Sequence, residues 1–247
     1  SRRPSVSPAP PTAAPRIADQ LAQLREGHDG AVADPALGAA LSRLRGWQSR
    51  RLRATYADLT ESPRYSQAIA FFQEDLYGPG DFSRRDADLA RIVPVMTRML
   101  PARMLEVVAD ATDLNALSFR LDRALLAHLP RRDDFGVADY CRAFRRAGDV
   151  ASRTRQIELI GTVGHAIDRY GSKLPVRHAL HLMRVPARAA GFAALQDFLE
   201  RGFASFAQMD GADEFLGIVD ARERAILEAI VAGSDAPFPP PPVNDAG

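Results

Sequence analysis

Apolar residues recur at every third or fourth position along most of the chain, which is the spacing typical of amphipathic α-helices. The stretch after Pro101 is representative, with an apolar stripe at Met104, Val107, Val108, Ala111 and Leu114. No stretch shows the two-residue alternation of a half-buried strand, and no hairpin turn joins two such runs. The pattern therefore predicts an all-α fold, a compact bundle of about nine helices.

Prolines, glycines and short polar residues mark where the predicted helices begin and end. Residues 17–26 form a short helical pattern that is expected to end near Gly27 and Gly30. Asp34 followed by Pro35 predicts the start of the next helix, because aspartate caps the first turn well and proline fits the first helical position.

Prolines are also expected to bend two helices and to leave both ends of the chain disordered. Pro94 and Pro186 lie within helical stripes and lack a backbone N–H, so we expect a kink at each. Residues 1–15 and 234–247 are rich in proline and small residues and are predicted to be disordered tails. Residues 16–233 are then predicted to form a single helical domain.

The composition disfavours several classes of protein. With 32 Lys and Arg residues against 31 Asp and Glu residues, the chain lacks the basic excess of a protein that coats nucleic acid. Cys141 is the single cysteine, which excludes an internal disulfide and a CxxC motif and fits a reducing compartment. No apolar run reaches the roughly 18–20 residues that cross a bilayer. We therefore expect a cytoplasmic protein.

Two further features concern the origin of the chain. Arginine and alanine are abundant and Lys173 is the single lysine, which is typical of a GC-rich bacterial genome. The first residue is Ser1 rather than methionine, so removal of an N-terminal targeting segment is left open.

Residues 71–91 combine a helix end, a tight turn and a helix start, and they predict a rigid corner between two helices. Ser83 and Asp86 have the spacing of a capping box at the start of the second helix. For the carboxylates of the corner, helix capping and ion pairs are favoured over general acid–base chemistry. The corner is still the best candidate for a surface that contacts a ligand or partner, through Phe71, Phe72, Tyr77, Asp81, Arg85 and Asp86.

The same segment resembles the signature of an uncharacterised proteobacterial all-helical family. The resemblance rests on Phe71-Phe72, Asp75-Leu76-Tyr77-Gly78, Asp81-Phe82, Arg85-Asp86 and Asp88. The later segment 202–216 is similar to the C-terminal part of that family, and the likeness covers roughly residues 65–232. It implies an all-helical fold and a bacterial origin, and it implies no activity, cofactor or catalytic residue.

The pair His178 and His181 is the best candidate for a haem or transition-metal site. Residues three apart share one side of a helix. Apolar residues on two sides of this helix predict that it packs between two neighbours and partly encloses the histidines. A partly enclosed imidazole can ligate a transition metal, whereas the simpler interpretation is a structural histidine with satisfied ring nitrogens. No CxxCH, HExxH or paired ExxH motif occurs, so we predict no dedicated metal site.

One arginine-rich helix is a candidate for binding phosphate groups. Arg43, Arg50 and Arg53 lie opposite its leucine stripe, and Arg45 and Arg51 flank them. Such a basic amphipathic helix can bind nucleic acid or an anionic membrane surface, although a solvated arginine-rich face is the default interpretation.

Three polar residues interrupt a long predicted helix. Asp110, Asp113 and Asn115 are candidates for the lining of a pocket, with a solvent-facing position as the simpler alternative.

Together these features favour a non-catalytic helical binding module for a partner protein or an apolar small molecule. Apolar helical surface is abundant, and the sequence contains neither a phosphate-binding glycine loop nor a serine elbow. The alternative is a haem- or metal-dependent oxidoreductase that uses His178 or His181. A weaker alternative is nucleic-acid association through the arginine-rich helix. Whether the chain catalyses a reaction or forms a homo-oligomer is left open.

Overall fold

The computed structural model describes residues 12–76, 82–130, 134–171 and 173–239. These ranges contain eleven α-helices and no β-strand. The helices are α1 (Ala13–Ala33), α2 (Pro35–Thr55), α3 (Ala57–Thr60), α4 (Ser66–Phe71), α5 (Ser83–Met99), α6 (Ala102–Leu126), α7 (Val137–Ala147), α8 (Val150–Gly171), α9 (Leu174–Ala189), α10 (Ala193–Met209) and α11 (Asp213–Val231). A π-helical turn, Phe72–Leu76, continues α4. The predicted all-α fold is confirmed, with two more helices than expected.

Helix α1 is longer at both ends than its sequence pattern predicts. It begins at Ala13, within the segment expected to be a disordered tail, and continues past Gly27 and Gly30 to Ala33. The prediction of a helix end near these glycines was wrong. A Cβ atom at Gly27 would lie 2.3 Å from Cε1 of Phe119, so this glycine permits close helix packing and does not end the helix.

The two predicted helix starts have different outcomes. The prediction for α2 is confirmed, because Oδ1 of Asp34 accepts hydrogen bonds from the backbone N–H groups of Ala36 and Leu37 at 3.0 and 3.2 Å. The capping box predicted at Ser83 and Asp86 was wrong, since α5 begins at Ser83 and the backbone N–H of Asp86 donates to the carbonyl oxygen of Phe82 at 3.0 Å. The carboxylate of Asp86 is instead buried and bonded to other side chains.

Two helices contain an internal proline. Pro94 lies inside α5 and Pro186 inside α9, and each helix continues beyond its proline. The prolines therefore do not end the helices, and the expected kinks stay predictions.

The longest helix, α6, lies at the centre of the bundle, where it packs against α1, α2, α7 and α8. Leu125 of α6 and Leu44 of α2 are fully buried in one apolar cluster, and Phe206 and Phe215 are buried in another. Burial of a side chain of this size contributes roughly 1.5–3 kcal/mol. This packing fixes the positions of the helices that carry the polar residues described below.

Part of the predicted C-terminal tail is docked on the helices. The ring of Phe238 packs against Trp47 and Tyr140, with centroid separations of 5.9 and 6.1 Å. Arg145 donates hydrogen bonds to the carbonyl oxygen of Ser234 at 2.9 Å and to the carboxylate of Asp235 at 2.6 Å. Residues 234–239 are therefore not a disordered tail, because an aromatic side chain and an ion pair hold them. Residues 1–11 and 240–247 lie outside the described ranges.

None of the helices in the described ranges combines the length and the apolar character needed to cross a bilayer.

Candidate functional site: a polar cavity between the helices

A cavity of about 100 Å³ lies between α2, α6, α8, α11 and the π-helical turn. Its apolar wall includes Leu52, Ile160 and Phe215, as expected inside a helical bundle. The rest of the lining is polar and includes three arginines and two carboxylates. Charged side chains are rarely buried unless they are paired, so the partners of these groups are informative. We refer to this space as the central cavity.

Helical spacing brings the polar residues of α2 and α6 to the central cavity. Arg45 and Gln48 are three positions apart on α2 and lie on one side of that helix. Asn115, Ser118 and Asp122 of α6 are three and four positions apart, which also places them on one side of the helix, and all three line the cavity. Each helix therefore carries a polar stripe beside the apolar stripe that packs in the core.

Arg51 and Glu223 form the principal ion pair of the cavity. The two Nη atoms of Arg51 donate to the two carboxylate oxygens of Glu223 at 2.7 and 3.0 Å, and the hydroxyl of Tyr56 donates to Oε1 of Glu223 at 2.8 Å. Burial alone would raise the pKa of Glu223, but the charge and hydrogen bonds of Arg51 outweigh it and lower the pKa. Burial opposes the charge of Arg51 as well, yet Glu223 raises its pKa. Both groups are therefore charged at neutral pH.

The second carboxylate, Asp122, has weaker partners. Gln48 donates to its Oδ1 atom at 3.0 Å, while Nε of Arg45 lies 3.5 Å from Oδ2. Burial raises the pKa of Asp122, and the nearby charge of Arg45 offsets this only in part. The negative charge of Asp122 is thus less stable than that of Glu223.

Arg153 of α8 is the lining arginine without a close carboxylate partner among the described residues, although its charge acts on Asp122 and Asp149. One Nη atom donates to the backbone oxygen of Leu121 at 3.4 Å, and the guanidinium lies over the ring of Phe144, 4.5 Å from the centroid. It forms no ion pair within the described part of the chain. One turn further along α8, Gln156 donates to the hydroxyl of Ser118 at 2.7 Å, which ties α8 to α6.

Two buried N–H donors in the cavity lining have no acceptor among the described residues. They are Nε of Arg51 and Nε2 of Gln73. Gln73 is only 7% exposed, and its amide oxygen is occupied by Nε of Arg53 at 3.4 Å. A buried donor without an acceptor costs about 1–3 kcal/mol and is rare in folded proteins. The lining therefore presents hydrogen-bond donors that the described protein groups do not satisfy.

The corner predicted as a contact surface is largely interior. Phe71 is buried, Phe72 is half-buried, and Asp86 is buried among other side chains. Asp86 accepts hydrogen bonds from His28 at 3.1 Å, from Arg85 at 2.9 and 3.0 Å, and from Asn115 at 3.2 Å. Phe71 and Asp86 are therefore not exposed, since Asp86 joins three elements inside the bundle, and a ligand or partner contact at the corner stays a prediction. We refer to His28, Arg85, Asp86 and Asn115 as the corner cluster.

Tyr77 and Asp81 lie outside the described residues. Burial opposes the charge of Asp86, but the hydrogen bond from His28 and the charge of Arg85 lower its pKa. The corner cluster therefore holds an ionised carboxylate with its hydrogen bonds made.

The predicted haem or metal residues lie at the surface. His178 and His181 are both exposed on α9, whose neighbours Leu182 and Val185 are 61% and 76% exposed. The predicted enclosure of these histidines was wrong, because α9 packs on α8 and α10 and leaves its other side uncovered. Within the described ranges, no three His, Cys, Asp or Glu side chains are grouped as metal ligands.

The arginines of α2 divide between two environments. Arg43, Arg50 and Arg53 are exposed, in agreement with the predicted basic face. Arg45 and Arg51, which were expected to flank that face, instead line the central cavity. The available signal was the three-residue spacing of Arg45 with Gln48, which recurs on α6 between Asn115 and Ser118.

The polar residues that interrupt α6 also have two different roles. Asn115 lines the central cavity, as one of the two interpretations predicts. Asp110 and Asp113 instead pair with Arg16 of α1. Their spacing along α6 was visible in the sequence, but their partners were not.

Comparison with models of known protein families gives one match that covers most of the chain. Residues 28–237 match the model of a family described as a domain of unknown function, DUF8198. The chain belongs to this family. The match includes every residue that lines the central cavity, so the cavity is part of the family's domain. It agrees with the resemblance to an uncharacterised family, while the signature motif and the bacterial origin stay predictions. Searches among curated proteins and among solved structures found no match.

Proposed function

We propose that this domain is a non-catalytic binding module that holds a small polar molecule in the central cavity. The observation that carries the proposal is the pair of unsatisfied donors, Nε of Arg51 and Nε2 of Gln73, in the lining of one cavity. A ligand with oxygen acceptors satisfies both donors. An apolar ligand leaves them unpaired, so the polar lining favours a polar molecule over the apolar one expected from the sequence.

The size and chemistry of the cavity support this choice. An apolar cavity of about 150 Å³ is known to hold benzene, so about 100 Å³ suits a small molecule and not a segment of a partner protein. The described lining contains no histidine, cysteine or lysine. Glu223 is occupied by Arg51 and Tyr56, which makes it a poor general base. Binding is therefore favoured over catalysis.

The test is a thermal-shift screen of the full chain with small polar molecules and a matched apolar set. At one hundred times its Kd, a ligand stabilises the folded state by about 2.7 kcal/mol, which raises the midpoint by roughly 5–10 °C in a domain of this size. Gln73→Leu removes one unsatisfied donor, and we expect it to abolish the shift caused by a polar ligand.

The matched control is Gln20→Leu. Gln20 also has a buried side-chain atom without a partner among the described residues, but it lies on α1 and does not line the cavity. We expect this variant to retain the full shift. A screen in which only apolar molecules stabilise the protein, or in which no molecule does, contradicts the proposal.

A further inference from the structure

The lining of the central cavity carries more positive than negative charge. It contains three guanidinium groups, on Arg45, Arg51 and Arg153, and two carboxylates, on Asp122 and Glu223. Even with both carboxylates ionised, one positive charge is left over. Burial also weakens the charge of Asp122, which increases the positive surplus. A surplus of buried charge is unfavourable unless a counter-charge is bound nearby.

The two carboxylates in the lining already have donors bound or close by. Both oxygens of Glu223 accept from Arg51, and one of them also accepts from Tyr56. Oδ1 of Asp122 accepts from Gln48, and Oδ2 lies beside Arg45. These carboxylates are therefore poorly placed to bind the positive end of a second molecule.

The donors have the opposite character. Nε of Arg51 and Nε2 of Gln73 lack acceptors among the described residues. Among the described residues, the guanidinium of Arg153 donates to one backbone oxygen, at 3.4 Å, and lies over an aromatic ring, while its charge also acts on Asp122 and Asp149. A guanidinium has five N–H donors and no acceptor, so most of the hydrogen-bonding capacity of Arg153 is unused. The residues that carry these donors, on α2, α8 and the π-helical turn, all line the central cavity.

We propose that the central cavity binds a small oxyanion, a carboxylate or a phosphate, through Arg51, Gln73 and Arg153. This inference rests on the proposed function and names the class of its ligand. An oxyanion supplies several acceptors at once, and its charge cancels the positive surplus of the lining. Glu223 acts as a positioning residue, because it holds both Nη atoms of Arg51 and leaves the unsatisfied Nε for the ligand.

The first experiment is calorimetric titration of the full chain at pH 7 and constant ionic strength. The probes are inorganic phosphate, acetate and acetamide. Acetamide has nearly the shape of acetate but no charge, so the pair isolates the contribution of the anion. We expect phosphate or acetate to bind at least tenfold more tightly than acetamide, and the ratio of phosphate to acetate shows which oxyanion the cavity prefers.

The second experiment places the anion in the cavity. Arg153→Met removes a donor of the lining, and we expect the affinity for the preferred anion to fall at least tenfold. Arg155→Met is the matched control, because Arg155 is exposed on the same helix and, among the described residues, pairs with Glu158 alone, at 3.6 Å. We expect it to bind the anion as the unaltered chain does. Arg153→Lys, which keeps the charge, is expected to lose less affinity and serves if Arg153→Met fails to fold.

The outcomes separate this inference from the proposed function. The inference of an oxyanion ligand is overturned if acetamide binds as tightly as acetate, or if a neutral polar molecule is the only ligand found in the screen. The proposed function as a binding module is then still supported. If the Arg153 variants bind the anion as tightly as the unaltered chain, the anion binds elsewhere and the inference is overturned. If no probe binds and the thermal screen finds no polar ligand, both proposals fail.

Discussion

The corner cluster and the central cavity are both buried and charged, but they differ in whether their hydrogen bonds are complete. At the corner, the carboxylate of Asp86 accepts from His28, Arg85 and Asn115. In the cavity, Arg51 pairs with Glu223 yet keeps an unsatisfied Nε. Asn115 borders both regions, so the two environments lie one side chain apart.

This difference separates a structural role from a binding role. A completed network of buried charges holds elements in register and has no free capacity for a ligand. Asp75 and Arg201 form another completed contact near the corner, with Nε of Arg201 3.1 Å from both carboxylate oxygens. A network with surplus donors is costly for the protein alone, and it gains stability when a ligand supplies the acceptors. Charge and burial alone would have ranked the corner and the cavity equally.

The largest change in folding stability is expected at the corner cluster. Asp86→Ala leaves three half-buried donor side chains without their shared buried acceptor, and we expect the free energy of unfolding to fall by about 3–5 kcal/mol. Denaturant unfolding measures this. Asp29→Ala is the control, because Asp29 is exposed beside His28, and it should change stability by less than about 0.5 kcal/mol.

The stability loss of Asp86→Ala can be checked against that of a variant at the cavity. Gln73→Leu, at the cavity, removes a donor that has no acceptor, so it should cost far less stability than Asp86→Ala. Equal losses in the two variants would mean that the corner and the cavity do not differ in the way described here.

A loss of stability of intermediate size is expected at Phe119, which lies between the corner cluster and the central cavity. Phe119 lines the cavity and contacts the ring of His28, with centroids 5.6 Å apart. In Gly27→Ala the new methyl group overlaps Phe119, which lies 2.3 Å from the Cβ position, and we expect a loss of about 1–3 kcal/mol. The measurement is thermal or denaturant unfolding.

Gly30→Ala on the same helix provides the matched control. A Cβ atom there meets nothing within 4 Å, so the higher helix propensity of alanine should stabilise the protein by up to about 1 kcal/mol. A loss of stability in both variants would contradict the assignment of Gly27 to close packing with Phe119.

The smallest effect concerns the pH dependence of stability. The pKa of Asp122 is higher in the folded state than in the unfolded state because the carboxyl is buried, so the folded state binds this proton more tightly. Asp122 therefore reduces stability as pH rises from about 4, its unfolded pKa, through its folded pKa. Asp122→Asn keeps the acceptor for Gln48 and removes this loss.

Unfolding curves of the unaltered chain and of Asp122→Asn, recorded from pH 4 to pH 8, measure this component. The stability of the variant should rise relative to that of the unaltered chain as pH increases. A constant difference across the range would show that Asp122 does not titrate as its surroundings indicate.

Local patterns were sufficient for some elements of the fold and misleading for others. The aspartate–proline pair at the start of α2 acts as expected, because a cap depends on neighbours within three residues. Gly27 was misread as a helix end, since its role depends on Phe119, which is distant in the chain. Phe238 was assigned to a disordered tail for the same reason, because its ring contacts lie on Trp47 and Tyr140.

The candidate site was visible in the sequence only in fragments. Asn115 was recognised as a residue that could line a pocket, and the arginines of α2 were recognised as a basic helix. Which arginines turn inward could not be decided, because Arg45 and Arg51 lie at the edge between the apolar and polar faces. At such an edge, the position of a residue around the helix does not tell whether its side chain is exposed or buried.

The sequence by itself determined that the chain is helical, because the three-to-four-residue period of apolar side chains is a local property that any α-helix must match. Only the tertiary structure decided where the buried charges meet. Arg51 and Glu223 are separated by 172 residues, and no local pattern relates them. Their contact requires α2 and α11 to converge beside α6 and α8, and the same convergence places Arg51 and Gln73, each with an unsatisfied buried donor, in the lining of one cavity.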